Sequence, residues 1–273
     1  MTTLLIDAGN SRIKIGWRRG GAYAGPGAPR EPVQAAFGHD ELAGALPQWL
    51  RQAGLRPQRA WGTNVAGAAM EIRLGELLRP YGCRMSWIRS TPSLLGVANG
   101  YRDPERLGAD RWLGLVGTWN GWLRQAGGQA PPVHVLAHFG TATTVDTLDP
   151  AGVFTGGLIL PGRDMMRRAL AAGTADLPHA DGRAVPFPDN TDDAIMSGVA
   201  AAQAGAVVRQ WLAARARYGQ EPRLVASGGA WSAIADEVAH LMQAAGSTQH
   251  VQVVDNPVLD GLAFLAESSP PSS

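Results

Sequence analysis

Several features that would mark particular classes of protein are scarce in this chain of 273 residues. It contains one cysteine, Cys83, so no disulfide can form within the chain. It contains one lysine, Lys14, and its 24 basic residues nearly balance its 23 acidic ones. No apolar run approaches the roughly 20 residues that cross a bilayer. These absences argue against a disulfide-rich secreted domain, a membrane-spanning protein and a protein that binds nucleic acid through bulk positive charge.

The same observations predict a cytoplasmic protein with neither a nucleic-acid nor a membrane partner, since no secretory signal precedes Asp7. The length favours two lobes over one core. We expect an N-terminal lobe over 1–124, a C-terminal lobe over 125–255, a helix over 256–267 that packs back on the fold, and a disordered tail over 268–273. The segment 125–132, rich in Gly and Pro, is the predicted connection between the lobes.

Strand and helix signals alternate along the chain, which predicts an α/β fold with mixed sheets flanked by helices. One helix is predicted to begin at Asp40 as its N-cap, and another to run over 69–81. The apolar run that ends before Asp7 is followed by a polar turn and then by alternating Ile13, Ile15 and Trp17, which predicts a β-hairpin. The pattern returns in a strand over 133–139, a polar turn at Gly140 and an outgoing strand. We interpret this as an internal duplication.

Polar turns that contain glycine can direct several backbone N–H groups at one phosphate. The first turn adds Asp7, a candidate carboxylate for hydrated Mg²⁺, and Lys14. A second signal is the strand that ends in Gly228 and Gly229 before a predicted helix. Each feature alone is more often an ordinary turn or connection, but two turns in corresponding places favour a nucleotide site. No Walker or dinucleotide-binding glycine motif occurs, which disfavours the P-loop and Rossmann folds.

A helix is predicted to begin after Gly108, with Asp110 and Arg111 in its first turn. An aspartate there stabilises any helix, so a purely structural role for Asp110 is one interpretation. The other is chemical, because a carboxylate can accept the proton of an attacking hydroxyl while a guanidinium binds a carboxylate of the same substrate. The tryptophans of this helix are predicted to pack in a core or a dimer interface. His134 and His138 lie about 13 Å apart along a strand, too far to bind one zinc ion.

The motifs together resemble the type III pantothenate kinase family, which includes proteins named Bvg accessory factors. The resemblance rests on seven blocks in the family's order, at residues 7–14, 101–111, 140–146, 156–162, 190–191, 227–229 and 256–262. It implies a duplicated actin-like ATPase (ribonuclease H-like) fold, a homodimer, and transfer of the ATP γ-phosphate to pantothenate at the first step of coenzyme A biosynthesis.

The resemblance also implies roles for individual residues. Asp110 would be the catalytic base, and Mg²⁺ would be held by Asp7 through water. The expected ATP and phosphate contacts are Asp7, Ala8, Gly9, Asn10, Ser11, Arg12, Ile13, Lys14, Thr141, Gly228 and Gly229. The expected pantothenate contacts are Tyr101, Gly108, Ala109, Asp110, Arg111 and Thr191.

Members of this family commonly require potassium or ammonium, and one position departs from that pattern. Many relatives have aspartate two residues before the glycine of the second phosphate turn, where this chain has His138. A neutral imidazole is a poor ligand for such a cation, so the site is either rebuilt from carbonyls or weakened. Two other functions stay open from the sequence: a kinase for another small hydroxyl acceptor, and a nucleotide-binding regulator with little turnover.

Overall fold

The computed structural model describes residues 2–20 and 28–268. They divide into two compact units. The first unit comprises the described residues up to Pro131 together with those from Asn256 onward, and the second comprises Pro132–Asp255. The division between Pro131 and Pro132 falls within the segment predicted as a connection. Ser268 is the last residue of a helix, and the rest of the predicted tail lies outside the described residues.

The strands are short, as is usual for α/β folds, and fall into two series. In the first unit they are β1 (Thr2–Ala8), β2 (Arg12–Arg19), β3 (Ala35–Gly38), β4 (Arg59–Asn64), β5 (Arg84–Trp87), β6 (Ser93–Leu94) and β7 (Val97–Asn99). In the second unit they are β8 (His134–Phe139), β9 (Ala142–Leu148), β10 (Val153–Pro161), β11 (Arg223–Ser227) and β12 (Gln252–Val253).

The helices connect or cover these strands. They are α1 (Leu42–Gln52), α2 (Ala68–Leu78), α3 (Ala109–Gln125), α4 (Arg163–Gly173), α5 (Thr191–Tyr218), α6 (Ala235–Ala244) and α7 (Pro257–Ser268). None of the helices in the described part of the chain has the length and apolar character needed to span a bilayer.

The two units have the same strand topology. The first contains the order β3-β2-β1-β4-β5, in which β1 is antiparallel to β2 and parallel to β4. The strands of the second follow the order β10-β9-β8-β11-β12, with β8 antiparallel to β9 and parallel to β11. In both orders the strand at one edge is antiparallel to its neighbour, as β3 is to β2 and β10 to β9. The strand at the other edge is parallel to its neighbour, as β5 is to β4 and β12 to β11. This repetition confirms the duplication predicted from the two hairpins.

The first sheet is covered on both faces because its central strand is apolar at successive positions. Leu4 and Ile6 are fully buried in the same cluster as Leu42 of α1 and Leu74 of α2. Leu5, which points to the opposite face, is buried with residues of α3 and α7. In the second unit, alternate residues of β8 are buried with residues of α5 and α6.

Helices α3 and α7 approach each other closely because two glycines face the contact. A Cβ atom on Gly117 of α3 would overlap the carbonyl oxygen of Pro257 in α7. A Cβ atom on Gly261 of α7 would overlap the carbonyl oxygen of Leu113 in α3. Trp112 and Trp119 of α3 are buried in the core, as predicted. The position of α3, and of the residues at its start, therefore depends on α7, which lies near the C-terminal end of the sequence.

Three local expectations are corrected. We expect Asp40 to cap α1, but the cap position is Glu41, whose side chain instead accepts a hydrogen bond from the backbone of Gly38. We expect α2 to run to Tyr81, but its last turn is a 3₁₀ turn over Arg79–Tyr81, since Pro80 has no N–H to donate. A 3₁₀ turn over Trp231–Ala233 also separates Gly229 from α6.

Candidate active site

The first polar turn joins β1 to β2 and comprises residues 9–11. The N–H of Gly9 donates to the carbonyl of Arg12 at 3.1 Å, which closes the turn. Asn10, Ser11 and Arg12 are exposed at its tip, so their backbone and side-chain groups are accessible to a ligand. Ala8 and Ile13 are fully buried, so of these two residues only the backbone could contact a phosphate.

Asp7 is the last residue but one of β1 and lies directly opposite Lys14 of β2. Its side chain is 9% exposed, and its carboxylate lies 3.9 Å from the Lys14 Nζ atom. The pKa of Asp7 is raised to about 6, mainly by burial; the charge of Lys14 acts to lower it, and the negative charge of Asp110 acts to raise it. The charge of Asp110 therefore acts on the Asp7 carboxylate, so the two residues lie in the same region of the first unit.

Asp110 lies in the first turn of α3, where the N-terminal end of the helix favours a negative charge. Its Oδ1 atom accepts a hydrogen bond from the backbone N–H of Arg111 at 2.8 Å. A Cβ atom on Gly108 would lie 2.7 Å from that oxygen, so the glycine leaves room for the carboxylate. Asp110, Ala109 and Arg111 are all half-buried, which leaves them partly accessible to a small substrate.

Arg111 and Tyr101 form a second polar pair beside Asp110. The Arg111 Nη1 atom donates a hydrogen bond to the Tyr101 hydroxyl at 3.1 Å. The guanidinium carbon also lies 5.8 Å from the centre of the Tyr101 ring. The two contacts restrain the guanidinium, a planar group whose geometry suits a carboxylate.

Asn99 organises the loop that carries Tyr101, and the sequence analysis assigned it no role. Its Oδ1 atom accepts from the Tyr101 N–H at 3.1 Å. Its Nδ2 atom donates to the Ser90 hydroxyl and to the Pro104 carbonyl, both at 3.0 Å. One side chain thus joins three points of the loop. No local sequence pattern predicts this role, because the hydrogen-bond partners of Asn99 depend on how the loop folds.

In the second unit, residues 140–141 form the turn between β8 and β9. The turn is supported by Gly162, whose N–H donates to the Thr141 carbonyl at 3.0 Å. Gly228 packs so closely on β8 that a Cβ atom would overlap the backbone of Phe139, and its φ of +105° also favours glycine. Gly228 therefore has a structural role, whereas a Cβ atom on Gly229 would meet no neighbour within 4 Å.

Thr191 is the first residue of α5, directly after Asn190, whose side chain caps the helix. Thr191 is exposed at the rim of a cavity of about 850 Å³ within the second unit. The walls of this cavity are mainly apolar and include Leu170, Ile195 and Val199. The predicted site residues thus fall in both units: Tyr101, Asp110 and Arg111 in the first, Thr141, Thr191, Gly228 and Gly229 in the second.

His138 occupies the position on β8 that corresponds to Asp7 on β1, two residues before the turn glycine. It is paired in register with Ser227 of β11, as Asp7 is with Thr63 of β4. His134, on the same strand, is buried, and its pKa is lowered to about 4 by burial and by the charge of Arg223. Among residues 2–20 and 28–268, no three His, Cys, Asp or Glu side chains form a group that could hold a metal ion.

Comparison with known proteins identifies the family. The family model described as type III pantothenate kinase matches residues 3–213. The chain is 49% identical to the type III pantothenate kinase of Bordetella pertussis over 99% of both chains. It is 43% identical to that of Aromatoleum aromaticum over 96% of this chain and 97% of the relative. The chain belongs to the type III pantothenate kinase family. It covers these pantothenate kinases almost completely.

Solved structures support the fold of this pantothenate kinase family member. The ethanolamine utilization protein EutJ from Carboxydothermus hydrogenoformans matches with a TM-score of 0.53 at 12% identity, over 98% of this chain and 90% of that one. Component A of (R)-2-hydroxyglutaryl-CoA dehydratase from Acidaminococcus fermentans matches with a TM-score of 0.50 at 14% identity, over 97% of each chain. Together with the duplicated topology, these matches confirm the actin-like ATPase fold.

Proposed function

We propose that this protein transfers the γ-phosphate of ATP to the primary hydroxyl of pantothenate, which gives 4′-phosphopantothenate in the first step of coenzyme A biosynthesis. The observation that supports this most strongly is 49% identity to a type III pantothenate kinase along almost the whole chain. The interacting carboxylates of Asp7 and Asp110 agree with it, because phosphoryl transfer needs a charge-balancing group and a group that orients the attacking hydroxyl.

In this proposal Asp110 is the general base. It orients the primary hydroxyl of pantothenate and accepts its proton as the oxygen attacks the γ-phosphorus. It lies in the first turn of α3, where the N-terminal end of the helix stabilises a negative charge. The hydrogen bond from the Arg111 backbone holds one carboxylate oxygen in place. Gly108 and Ala109 shape the approach to this oxygen.

Arg111 binds the pantothenate carboxylate in this proposal, and Tyr101 supports it. The Tyr101 hydroxyl accepts a hydrogen bond from one guanidinium N–H, which restrains the orientation of the guanidinium. A fork of two N–H groups suits a carboxylate better than a point charge does. Thr191, in the second unit, is proposed as a further polar contact to this substrate.

The phosphates of ATP are proposed to bind the turn of residues 9–11, with Arg12 and Lys14 supplying positive charge. Asn10 and Ser11 are exposed there, and Lys14 is half-buried. In the second unit we propose Thr141, Gly228 and Gly229 as further nucleotide contacts. The backbone of Ala8 and Ile13 completes the first turn.

Magnesium fits the residues at the first turn. Asp7 is a buried carboxylate, and burial raises its pKa although the Lys14 Nζ atom lies 3.9 Å away, so this one lysine does not fully offset the cost of its negative charge. Mg²⁺ prefers one or two carboxylates with water and phosphate oxygens, which matches Asp7 with Asp110 near it. When bound, the ion neutralises charge that develops on the transferring phosphate. Asp7 would hold it through water.

A monovalent cation does not fit the second turn in the same way. Potassium and ammonium sites are built from oxygen ligands, whereas His138 presents an imidazole at the corresponding strand position. The proposed phosphoryl transfer therefore includes no step that depends on such a cation. We further propose a homodimer in the cytoplasm, with ATP and pantothenate as its ligands and no nucleic-acid or membrane partner; a single cysteine and a net charge of +1 agree with this.

The test is the release of ADP that depends on added pantothenate, compared with a panel of other small hydroxyl compounds. We expect Asp110→Asn to lower kcat by about 10²-fold or more, with the affinity for ADP nearly unchanged. Asp103→Asn is the matched control, because Asp103 lies in the same loop region but is exposed and pairs with Arg106. Phosphorylation of another acceptor in preference to pantothenate, or nucleotide binding without turnover, would contradict the proposal.

A further inference from the structure

His39 contacts the first polar turn from outside it. It follows β3, and its Nε2 atom lies 2.9 Å from the carbonyl oxygen of Gly9. A carbonyl oxygen can only accept a hydrogen bond, so Nε2 must carry the proton in this contact. The side chain is half-buried between the two segments. Neither the family resemblance nor the sequence pattern assigns His39 a role.

The backbone that carries His39 is itself restrained. Gly38, the residue before it, pairs with Arg12 of β2 across the sheet. The Gly38 N–H also donates to the Glu41 carboxylate at 2.6 Å. The Glu41 carbonyl in turn accepts hydrogen bonds from the N–H groups of Gly44 and Ala45 in the first turn of α1. His39 is thus held between a sheet edge and a helix start, and its ring is presented to Gly9 by rigid elements.

The hydrogen bond from His39 fixes the direction of the next N–H group. In a trans peptide the C=O of one residue and the N–H of the next lie in one plane and point in opposite directions. Since the Gly9 carbonyl points to His39, the Asn10 N–H points away from it. Rotation of this peptide would instead present a carbonyl oxygen, which repels phosphate, and glycine at position 9 makes such rotation easy.

We propose that His39 is a positioning residue for nucleotide binding, which holds the Gly9 carbonyl so that the Asn10 N–H is presented to a phosphate oxygen of ATP. This inference rests on the proposed function only in taking the turn of residues 9–11 as a phosphate site. The Gly9 N–H is already bonded to Arg12, so the two hydrogen bonds together restrain both polar groups of Gly9.

The test is the affinity of the full-length protein for ADP and for a non-hydrolysable ATP analogue, measured by calorimetry with Mg²⁺ present. We expect His39→Phe to weaken binding by about 3- to 10-fold, the usual effect of one lost hydrogen bond. His39→Gln should restore the affinity, because a glutamine amide nitrogen reaches the place of Nε2. His39→Asn should not, because its shorter side chain reaches only the place of Nδ1.

Kinetic constants and a distant control separate positioning from stability. His39→Phe should raise the KM for ATP and leave the KM for pantothenate unchanged, while His240→Phe, at an exposed site on α6, should alter neither. If His39→Phe binds ADP as well as the original protein, or if Asn restores binding as well as Gln, the inference is wrong. If ADP binding behaves as expected but pantothenate is not phosphorylated, the proposed function fails and the role of His39 stands.

Discussion

Replacement of Asp7 by asparagine tests whether the protein maintains a carboxylate at a cost in stability. In the folded protein the pKa of Asp7 is about 6, against 3.8 for an unperturbed aspartate. The folded state therefore binds the proton more tightly than the unfolded chain, so stability falls as the pH rises from about 3.8 to 6. Each pKa unit corresponds to about 1.4 kcal/mol, which gives a cost of about 3 kcal/mol at pH 8.

Asp7→Asn keeps the shape of the side chain and removes this cost. We expect the free energy of unfolding to rise by up to about 3 kcal/mol at pH 8 and to change by less than about 1 kcal/mol at pH 4, where the carboxyl is protonated in the folded state and only partly ionised in the unfolded chain. Urea unfolding followed by tryptophan fluorescence at the two pH values measures the difference. Asp176→Asn, at an exposed loop position, is the control that should show no such pH-dependent gain.

The same variant should lose activity, because the carboxylate proposed to hold Mg²⁺ is gone. Higher stability with lower turnover is the signature of a residue retained for function at a cost to the fold. A purely structural Asp7 would instead give a loss of stability. The reasoning is refuted by a stability gain that is equal at pH 4 and pH 8, or by destabilisation at pH 8.

Three further predictions concern other parts of the molecule. Arg111→Ala should mainly raise the KM for pantothenate in steady-state assays, and an effect confined to ATP would contradict the proposed carboxylate contact. Burial and the charge of Arg223 lower the pKa of His134 to about 4, so the free energy of unfolding should fall by about 2 to 3 kcal/mol through this group as the pH is lowered from 6.5 to 4.5. His134→Gln should remove this pH-dependent loss in urea-unfolding measurements. A pH profile that the substitution leaves unchanged would contradict the prediction. Gly117→Ala should destabilise the protein by about 3 kcal/mol or more in thermal unfolding, because the added methyl group would overlap α7. Gly121→Ala on the same helix should be neutral or stabilising, because a Cβ atom there meets no neighbour. Equal effects of the two substitutions would exclude the close contact between α3 and α7.

The hairpins and the duplication could be predicted because their signals are local. Ile13 and Ile15 alternate with Arg12 and Lys14, and in the structure the two isoleucines are fully buried while Arg12 is exposed. A period of two with a glycine-containing turn has few other solutions. The second copy of the pattern, around Gly140, could be recognised in the same way.

The carboxylate pair was only partly predictable. Asp7 and Asp110 each drew attention from their own surroundings, a strand end and a helix start. Their mutual influence depends on the docking of α3 beside β1, which is determined by residues far apart in sequence. Gly117 and Gly261 bring α3 close to α7, and each of these glycines alone resembles any other glycine within a helix.

The supporting residues could not be predicted from the sequence alone. His39 and Asn99 act through hydrogen bonds to backbone atoms, which any loop sequence offers. Asp40 is the opposite case, because its residue type is typical of a helix cap. The fold places Glu41 at the cap position of α1 instead, and the Glu41 side chain accepts a hydrogen bond from Gly38. Side chains that support a site are therefore identified by geometry, whereas those that contact a ligand can be recognised by type and spacing.

The most direct test of the central claim is a crystal structure of the protein with Mg²⁺, a non-hydrolysable ATP analogue and pantothenate. We predict that an Asp110 carboxylate oxygen lies within roughly 2.6 to 3.2 Å of the primary hydroxyl of pantothenate, with that hydroxyl facing the γ-phosphate. A hydroxyl bound away from Asp110, or a triphosphate that does not contact the turn of residues 9–11, would contradict the account.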